Sequence, residues 1–214
     1  MTEETEESVI TEEFVIFTGF EVEVKDHNNN IKKVRFDTKE IPVEYGPLLE
    51  IIPELHKEII PKLQLDTIDT NKENDTDKKI YKYYIHVGHG HDNIIHIEKL
   101  AHKDGYCLKD NDEKMPEEGV CPNYDQKEIE TDVDVDRLVD HLCLKKEWKK
   151  IERSDNAGRY LCEYTFYVSL CENAKKSIPG TVLFVHVPRE GCPYSIDELA
   201  QILKDIGIWV TENY

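Results

Sequence analysis

Residues 154–167 read Ser-Asp-Asn-Ala-Gly-Arg-Tyr-Leu-Cys-Glu-Tyr-Thr-Phe-Tyr. A polar turn containing Gly158 leads into a segment with helical spacing, and Cys162 stands where that helix begins. The first turn of a helix has backbone N–H groups without helical partners and the positive end of the helix dipole, and both favour a thiolate. The stretch therefore indicates Cys162 as a candidate nucleophile.

A histidine follows in a later apolar stretch. Residues 183–188 read Leu-Phe-Val-His-Val-Pro, which predicts a buried strand with His186 close to its C-terminal end. A cysteine nucleophile needs a base, and the base needs a third group that orients it. His186 is the candidate base, and Glu98, at the end of an alternating run, is the candidate third group.

The residue pattern also allows a purely structural interpretation of all three. Cys162 then packs as a small apolar side chain, which is the usual role of cysteine. His186 is then a core histidine bound to a backbone carbonyl, and Glu98 a solvated residue at a strand end. The pattern alone does not decide between the two.

Composition limits the possible partners. The chain has 214 residues, of which 39% are hydrophobic and 34% charged, and its formal net charge is −18. Such a charge disfavours nucleic acid and anionic membranes, because binding phosphates requires clusters of Lys and Arg. No segment approaches the roughly 20 apolar residues of a membrane span. The acidic surface favours a monomer.

The chain is organised as one domain with two polar additions. Residues 1–13 are predicted to be an acidic disordered tail without the basic and apolar parts of a secretory signal. Residues 14–214 form the predicted domain, and residues 62–79 a surface insertion within it. Without a signal, the six cysteines are expected to be thiols.

Short apolar strands alternate with amphipathic helices along the domain. This order predicts an α/β fold with a largely parallel sheet. The predicted strands are Phe14–Phe20, Val34–Val43, Tyr83–Gly88, Ile94–Glu98, Trp148–Glu152 and Thr181–Val187. The predicted helices are Tyr45–Ile60, Asp132–Leu142, Tyr160–Cys171 and one opening at Ser195 with a capping box to Glu198.

A histidine-rich turn suggests metal chemistry as an alternative. His89, His91 and Asp92 are residue types that bind zinc. Asn93 directly follows Asp92, however, where the His-x-His-x-Asp-His run of binuclear zinc hydrolases has a further histidine. We therefore expect a polar loop with no metal and no cofactor.

Six segments, in matching order, resemble the pyroglutamyl peptidase I family of cysteine peptidases. The run around Cys162 is the most specific of them, because Ala-Gly-Arg-Tyr-Leu-Cys before an aromatic-rich helix rarely arises by chance. The six segments are Thr18–Phe20, Ile41–Tyr45, His86–Gly88, Glu98–Tyr106, Ser154–Tyr167 and Phe184–Pro188.

The resemblance implies a fold, an activity and a set of roles. The implied fold is a three-layer α/β/α sandwich around a mixed sheet. The implied activity is removal of an N-terminal pyroglutamyl residue from peptides, in the cytoplasm and without metal. By resemblance, Cys162 is the nucleophile, His186 the general base and Glu98 the residue that orients His186, while Phe20, Tyr160 and Leu161 lie beside the lactam ring.

One departure from the family pattern motivates an alternative function. The family continues its first strand as Thr-Gly-Phe-Gly-Pro-Phe, whereas Phe20 is followed here by Glu21, Val22, Glu23 and Val24. Loss of this pocket wall would weaken binding of a small ring. The alternative is a weak or inactive relative that binds peptides or another protein.

Overall fold

The computed structural model describes residues 20–25, 31–57 and 81–214. The predicted tail 1–13 and insertion 62–79 lie outside these ranges. The predicted strand Phe14–Phe20 also lies outside them, apart from Phe20 itself.

The described residues form strands and helices in an alternating order. The strands are β1 (Phe20–Lys25), β2 (Ile31–Phe36), β3 (Tyr83–His89), β4 (Ile95–Glu98), β5 (Leu100–His102), β6 (Glu128–Glu130), β7 (Ile151–Ser154) and β8 (Thr181–Val187). The α-helices are α1 (Tyr45–His56), α2 (Val135–Asp140), α3 (Leu161–Ala174) and α4 (Ile196–Asn213). A 3-10 turn, Glu117–Gly119, and a π-helical turn, His141–Lys145, complete them.

The central sheet has the strand order β3-β8-β4-β7. Strands β3 and β8 are parallel, as are β4 and β7, whereas β4 and β8 are antiparallel. The sheet is therefore mixed and largely parallel, which confirms the fold class predicted from the sequence. Two small antiparallel sheets, β1-β2 and β5-β6, accompany it.

Strand β8 separates two hydrophobic clusters. All seven of its residues are buried. Val182 and Phe184 join a cluster with α1 and α3, whereas Leu183 and Val185 join a cluster with α2 and α4. Because alternate residues of a strand point to opposite faces, the helices form a layer on each side of the sheet. The result is the three-layer α/β/α sandwich.

Local sequence signals account for the helix boundaries. The Ser195 side chain accepts from the Glu198 backbone N–H, and the Glu198 carboxylate accepts from the Ser195 backbone N–H, so the predicted capping box is confirmed. At α2, the Asp134 carboxylate accepts from the Arg137 backbone N–H. Helix α3 is buried nearly all round, which is typical of a central helix.

Two strand predictions were wrong in their bounds. The predicted strand Val34–Val43 is observed as Ile31–Phe36, and irregular chain continues to Glu44. Pro42 has no N–H to donate to a strand ladder, which fits this early end. The strand predicted at Trp148–Glu152 begins at Ile151, because Lys150 has a left-handed backbone (φ 54°) that breaks extended structure.

The small sheet β5-β6 was not predicted. Neither of its strands is among those predicted from the sequence, yet Leu100–His102 pairs with Glu128–Glu130. Strands of three residues carry too little alternation to be identified by pattern.

Candidate active site

One face of the central sheet carries several polar side chains. In β3, β8 and β4, residues His86, Gly88, His186 and Glu98 alternate with core residues of the opposite cluster, so they face α3. The register places Gly88 beside His186, and His186 beside His96 on β4. The sheet thereby brings residues from three chain segments to one place.

His186 and Glu98 form a buried hydrogen-bonded pair. Nδ1 of His186 lies 2.7 Å from Oε1 of Glu98, and the two side chains are 10% and 1% exposed. A carboxylate can only accept, so Nδ1 donates, and in the neutral form of the ring Nε2 carries the lone pair. Oε2 of Glu98 is buried and has no hydrogen-bond partner among the described residues.

Cys162 lies above β3, at the position next to His186. It is the second residue of α3 and is 6% exposed. A Cβ atom placed on Gly88 would lie 2.7 Å from Sγ of Cys162 and 2.9 Å from the Phe184 ring. Because neighbouring strands are about 4.8 Å apart, the sulfur occupies the space beside the His186 strand position.

A second glycine packs against the imidazole. A Cβ atom on Gly90 would lie 2.7 Å from Cβ of His186, and the Gly90 N–H donates to the Val187 carbonyl at 2.9 Å. Gly88 and Gly90 thus make room for Cys162 and His186. Neither role was predicted from the sequence, although two glycines separated by a single residue at a strand end were a visible signal.

Glu163 fixes the turn that leads into Cys162. Its carboxylate has no exposure and accepts from the Arg159 backbone N–H at 2.7 Å and from the Arg159 guanidinium. It also accepts from the backbone N–H and Nδ1 of His102 at 3.0 and 2.7 Å. Arg159 has a left-handed backbone (φ 58°), so this network stabilises a strained turn. Its signal in the sequence was a carboxylate in the first turn of an apolar helix.

A cavity of about 150 Å³ opens beside Cys162. This volume suits a small ring better than a drug-sized ligand. Its lining residues combine apolar, aromatic and polar side chains, and they include Cys162, Leu161, Thr165, His86, Phe184 and Pro42.

The other predicted pocket residues are placed as follows. Leu161 is 2% exposed and lines the cavity. Tyr160 stands at the N-cap of α3, and its hydroxyl donates to the Lys109 carbonyl at 3.0 Å. Phe20 begins β1 with Phe36 as its backbone partner, and the structure describes only its backbone. Contact of Tyr160 and Phe20 with a substrate stays a prediction.

Two other cysteines, Cys121 and Cys171, are buried thiols with raised pKa values. All six cysteines lie in the described ranges, and none is joined in a disulfide. Burial raises the pKa of Cys121 to about 12 and that of Cys171 to about 11. These two thiols lie in the same hydrophobic cluster as Cys162, and they are protonated at neutral pH.

The histidine-rich loop has other partners. Both carboxylate oxygens of Asp92 accept from Arg189 at 3.1 and 3.2 Å. The rings of His91 and His96 are 6.0 Å apart. Within residues 20–25, 31–57 and 81–214, no three His, Cys, Asp or Glu residues converge as metal ligands would.

In the same ranges, no helix has the length and apolar character needed to cross a bilayer.

The layered fold and the polar sheet face define the class as a three-layer α/β/α protein with a candidate active site on one face of its central sheet. The family model described as pyroglutamyl peptidase matches residues 21–198. The chain belongs to the pyroglutamyl peptidase family.

Individual relatives agree with this membership. Pyroglutamyl-peptidase 1 of Homo sapiens and of Mus musculus are each 30% identical over 168 residues, which is 78% of this chain and 68% of theirs. The pyrrolidone-carboxylate peptidase of Pyrococcus furiosus is 27% identical over 188 residues, which is 81% of this chain and 80% of the relative.

Solved structures share the fold. A variant pyrrolidone carboxyl peptidase from Pyrococcus furiosus has a TM-score of 0.63 at 21% identity, covering 81% of this chain and 80% of the other. Pyroglutamyl peptidase I from Bacillus amyloliquefaciens has a TM-score of 0.63 at 18% identity, covering 80% and 78%. The family fold that the sequence resemblance predicted is thereby confirmed.

Proposed function

We propose that this protein hydrolyses the amide bond after an N-terminal pyroglutamyl residue, with Cys162 as nucleophile, His186 as general base and Glu98 as its orienting partner. One observation carries this proposal. Glu98 accepts from Nδ1 of His186 at 2.7 Å in a buried pair. The Cys162 sulfur lies over Gly88, which is the strand neighbour of His186.

The first half of the reaction forms an acyl-enzyme. Nε2 of His186 takes the proton of the Cys162 thiol, and the sulfur attacks the carbonyl carbon of the pyroglutamyl residue. Negative charge develops on the carbonyl oxygen, where backbone N–H groups of the first turn of α3 would stabilise it. The imidazolium then protonates the leaving amine, the C–N bond breaks and a thioester remains on Cys162.

The second half restores the enzyme. Nε2 of His186 removes a proton from a water molecule, which attacks the thioester carbonyl. The C–S bond breaks, the sulfur regains a proton from the imidazolium, and free pyroglutamate leaves. Throughout, the Glu98 carboxylate holds the imidazole in one orientation and stabilises its charged form.

Release of a fluorophore from a pyroglutamyl amide tests the proposal. The unaltered protein is expected to release it, and the Cys162→Ala variant is expected not to. Cys171→Ala is the matched control, because it removes a buried thiol from the same helix without touching the sulfur above Gly88. Equal release by the unaltered protein and the Cys162→Ala variant would refute the proposal.

A further inference from the structure

His86 lies in the cavity beside Cys162, and no step of the proposed hydrolysis uses it. It is half-buried on β3 and faces α3, two residues before Gly88 and on the same face of the strand. Its ring is close to parallel with that of Phe184, at 6.2 Å between centroids. A polar group at the wall of a small cavity is the kind of group that determines ligand specificity.

A chain of hydrogen bonds behind His86 involves Ser169 and His56. Nε2 of His86 lies 2.7 Å from Oγ of Ser169, and Nε2 of His56 lies 2.8 Å from the same oxygen. Ser169 is fully buried on α3, and His56, at the end of α1, is 3% exposed. His56 stacks on the Tyr84 ring with centroids 3.8 Å apart, so its ring orientation is fixed.

The chain of hydrogen bonds determines where each proton lies. Nδ1 of His56 is buried without a partner among the described residues. A buried N–H without an acceptor is rarer than an unused lone pair, so the hydrogen of His56 is on Nε2 and is donated to Ser169. Ser169 has one hydrogen, which it donates to Nε2 of His86. The hydrogen of neutral His86 is therefore on Nδ1, the ring nitrogen that remains to meet a ligand.

Both imidazoles are uncharged at neutral pH. Burial lowers the pKa of His86 to about 4, and burial together with Lys176 lowers the pKa of His56 to about 3. His86 thus offers an N–H donor without a positive charge. Such a donor suits a neutral carbonyl better than a carboxylate.

We propose that Nδ1–H of His86 donates a hydrogen bond to the lactam carbonyl of the pyroglutamyl ring, with Ser169 and His56 fixing the required tautomer. This role rests on the proposed hydrolysis of pyroglutamyl peptides and adds the group that distinguishes their ring from others. A prolyl residue lacks the carbonyl and carries a charged amine, so it leaves the donor unpaired. An N-terminal glutamate carries a charged side-chain carboxylate where the pyroglutamyl ring has a neutral carbonyl, and the uncharged imidazole of His86 offers this carboxylate no countercharge.

Two substitutions of His86 differ in whether a hydrogen-bond donor remains at the position of Nδ1. The amide nitrogen of asparagine reaches the position of Nδ1, so His86→Asn keeps a donor toward the cavity. His86→Phe keeps a flat ring but no donor. Binding of a pyroglutamyl dipeptide amide to the Cys162→Ala protein, measured by calorimetry, avoids turnover. We expect His86→Phe to weaken binding by about tenfold or more and His86→Asn by less than about threefold.

The outcomes separate this role from the hydrolysis itself. If the Cys162→Ala protein binds the dipeptide amide equally well with and without the His86→Phe substitution, the recognition role of His86 is overturned, even if the native enzyme hydrolyses its substrate. Absence of any pyroglutamyl binding by the Cys162→Ala protein also overturns it. If binding depends on His86 but the protein with an intact Cys162 shows no turnover, the recognition role is kept and the proposed hydrolysis is refuted.

A spectroscopic measurement covers the case in which His86→Phe does not fold. Nitrogen-15 NMR of labelled histidine in the native protein is expected to show His86 as the Nδ1–H tautomer. In Ser169→Ala, which removes the donor to Nε2, the signal is expected to shift toward a tautomer mixture. A native Nε2–H tautomer would overturn the assignment.

Discussion

A Cβ atom on Gly88 would lie 2.7 Å from the Cys162 sulfur, so this sulfur occupies the space that a side chain at Gly88 would take. Gly88→Ala should displace the sulfur and lower kcat/KM at least about 100-fold, since displacements near 1 Å have that effect. Gly46→Ala in α1 is the control, because nothing lies within 4 Å of its added Cβ. Steady-state kinetics decide the matter, and unchanged kinetics in Gly88→Ala would contradict this placement of Cys162.

Glu98→Gln tests the orienting pair. The amide oxygen still accepts from Nδ1 of His186, but the negative charge that stabilises the imidazolium is gone. The amide group can also turn and donate, which favours the wrong histidine tautomer. We expect kcat to fall by about 10²- to 10⁴-fold with binding little changed. A kcat within about threefold of the unaltered protein would exclude Glu98 from the mechanism.

Acid should destabilise the protein through its buried histidines. The pKa of His56 is lowered to about 3 and that of His86 to about 4, whereas unfolded histidine titrates near 6.5. Below pH ~6.5 the unfolded chain binds protons that the folded chain does not, so stability is full above this pH and falls toward pH 3–4.

The variant His56→Gln isolates one of these groups. Glutamine can still donate to Ser169 but does not titrate. Between pH 6 and 4, the free energy of unfolding of the native protein should fall by up to about 3 kcal/mol more than that of the variant. Urea unfolding at several pH values measures the difference. Parallel stability curves for the two proteins would show that His56 is not held neutral.

Glu163→Ala tests the hydrogen-bond network in the turn that precedes Cys162. The substitution leaves the Arg159 guanidinium and the His102 ring without their buried acceptor. We expect a loss of about 3–5 kcal/mol in the free energy of unfolding. Glu128→Ala is the control, since Glu128 approaches the same His102 ring at 4.0 Å but is 67% exposed. Glu128→Ala should lower the free energy of unfolding by less than about 1 kcal/mol. Equal effects of the two substitutions would show that Glu163 does not stabilise the turn.

Strong local patterns in the sequence identified much of the fold. The strand Thr181–Val187 was predicted with its observed bounds, because five of its seven residues are apolar and four of them follow one another, which is typical of a buried strand. The last helix was predicted from its capping box. Failures fall where the backbone departs from regular values, as at Lys150, or where strands have only three residues.

The candidate site shows a different limit. Helix dipole and strand position indicated Cys162 and His186, and resemblance assigned roles to them. Gly88 and Gly90 were visible as a glycine pair at a strand end, but the side chains that fill the space beside them come from other parts of the chain, so the sequence does not show which side chains these are. The same holds for the link between His56 and His86, which requires α1, α3 and β3 to pack together.

The most direct test of the mechanism is the covalent intermediate. The native protein would be mixed with a pyroglutamyl ester, quenched in acid within the first turnover and digested for mass spectrometry. The mechanism predicts one pyroglutamyl group on the peptide that contains Cys162, with less of it in His186→Ala. Turnover without acylation of Cys162, or acylation of another cysteine, would contradict it.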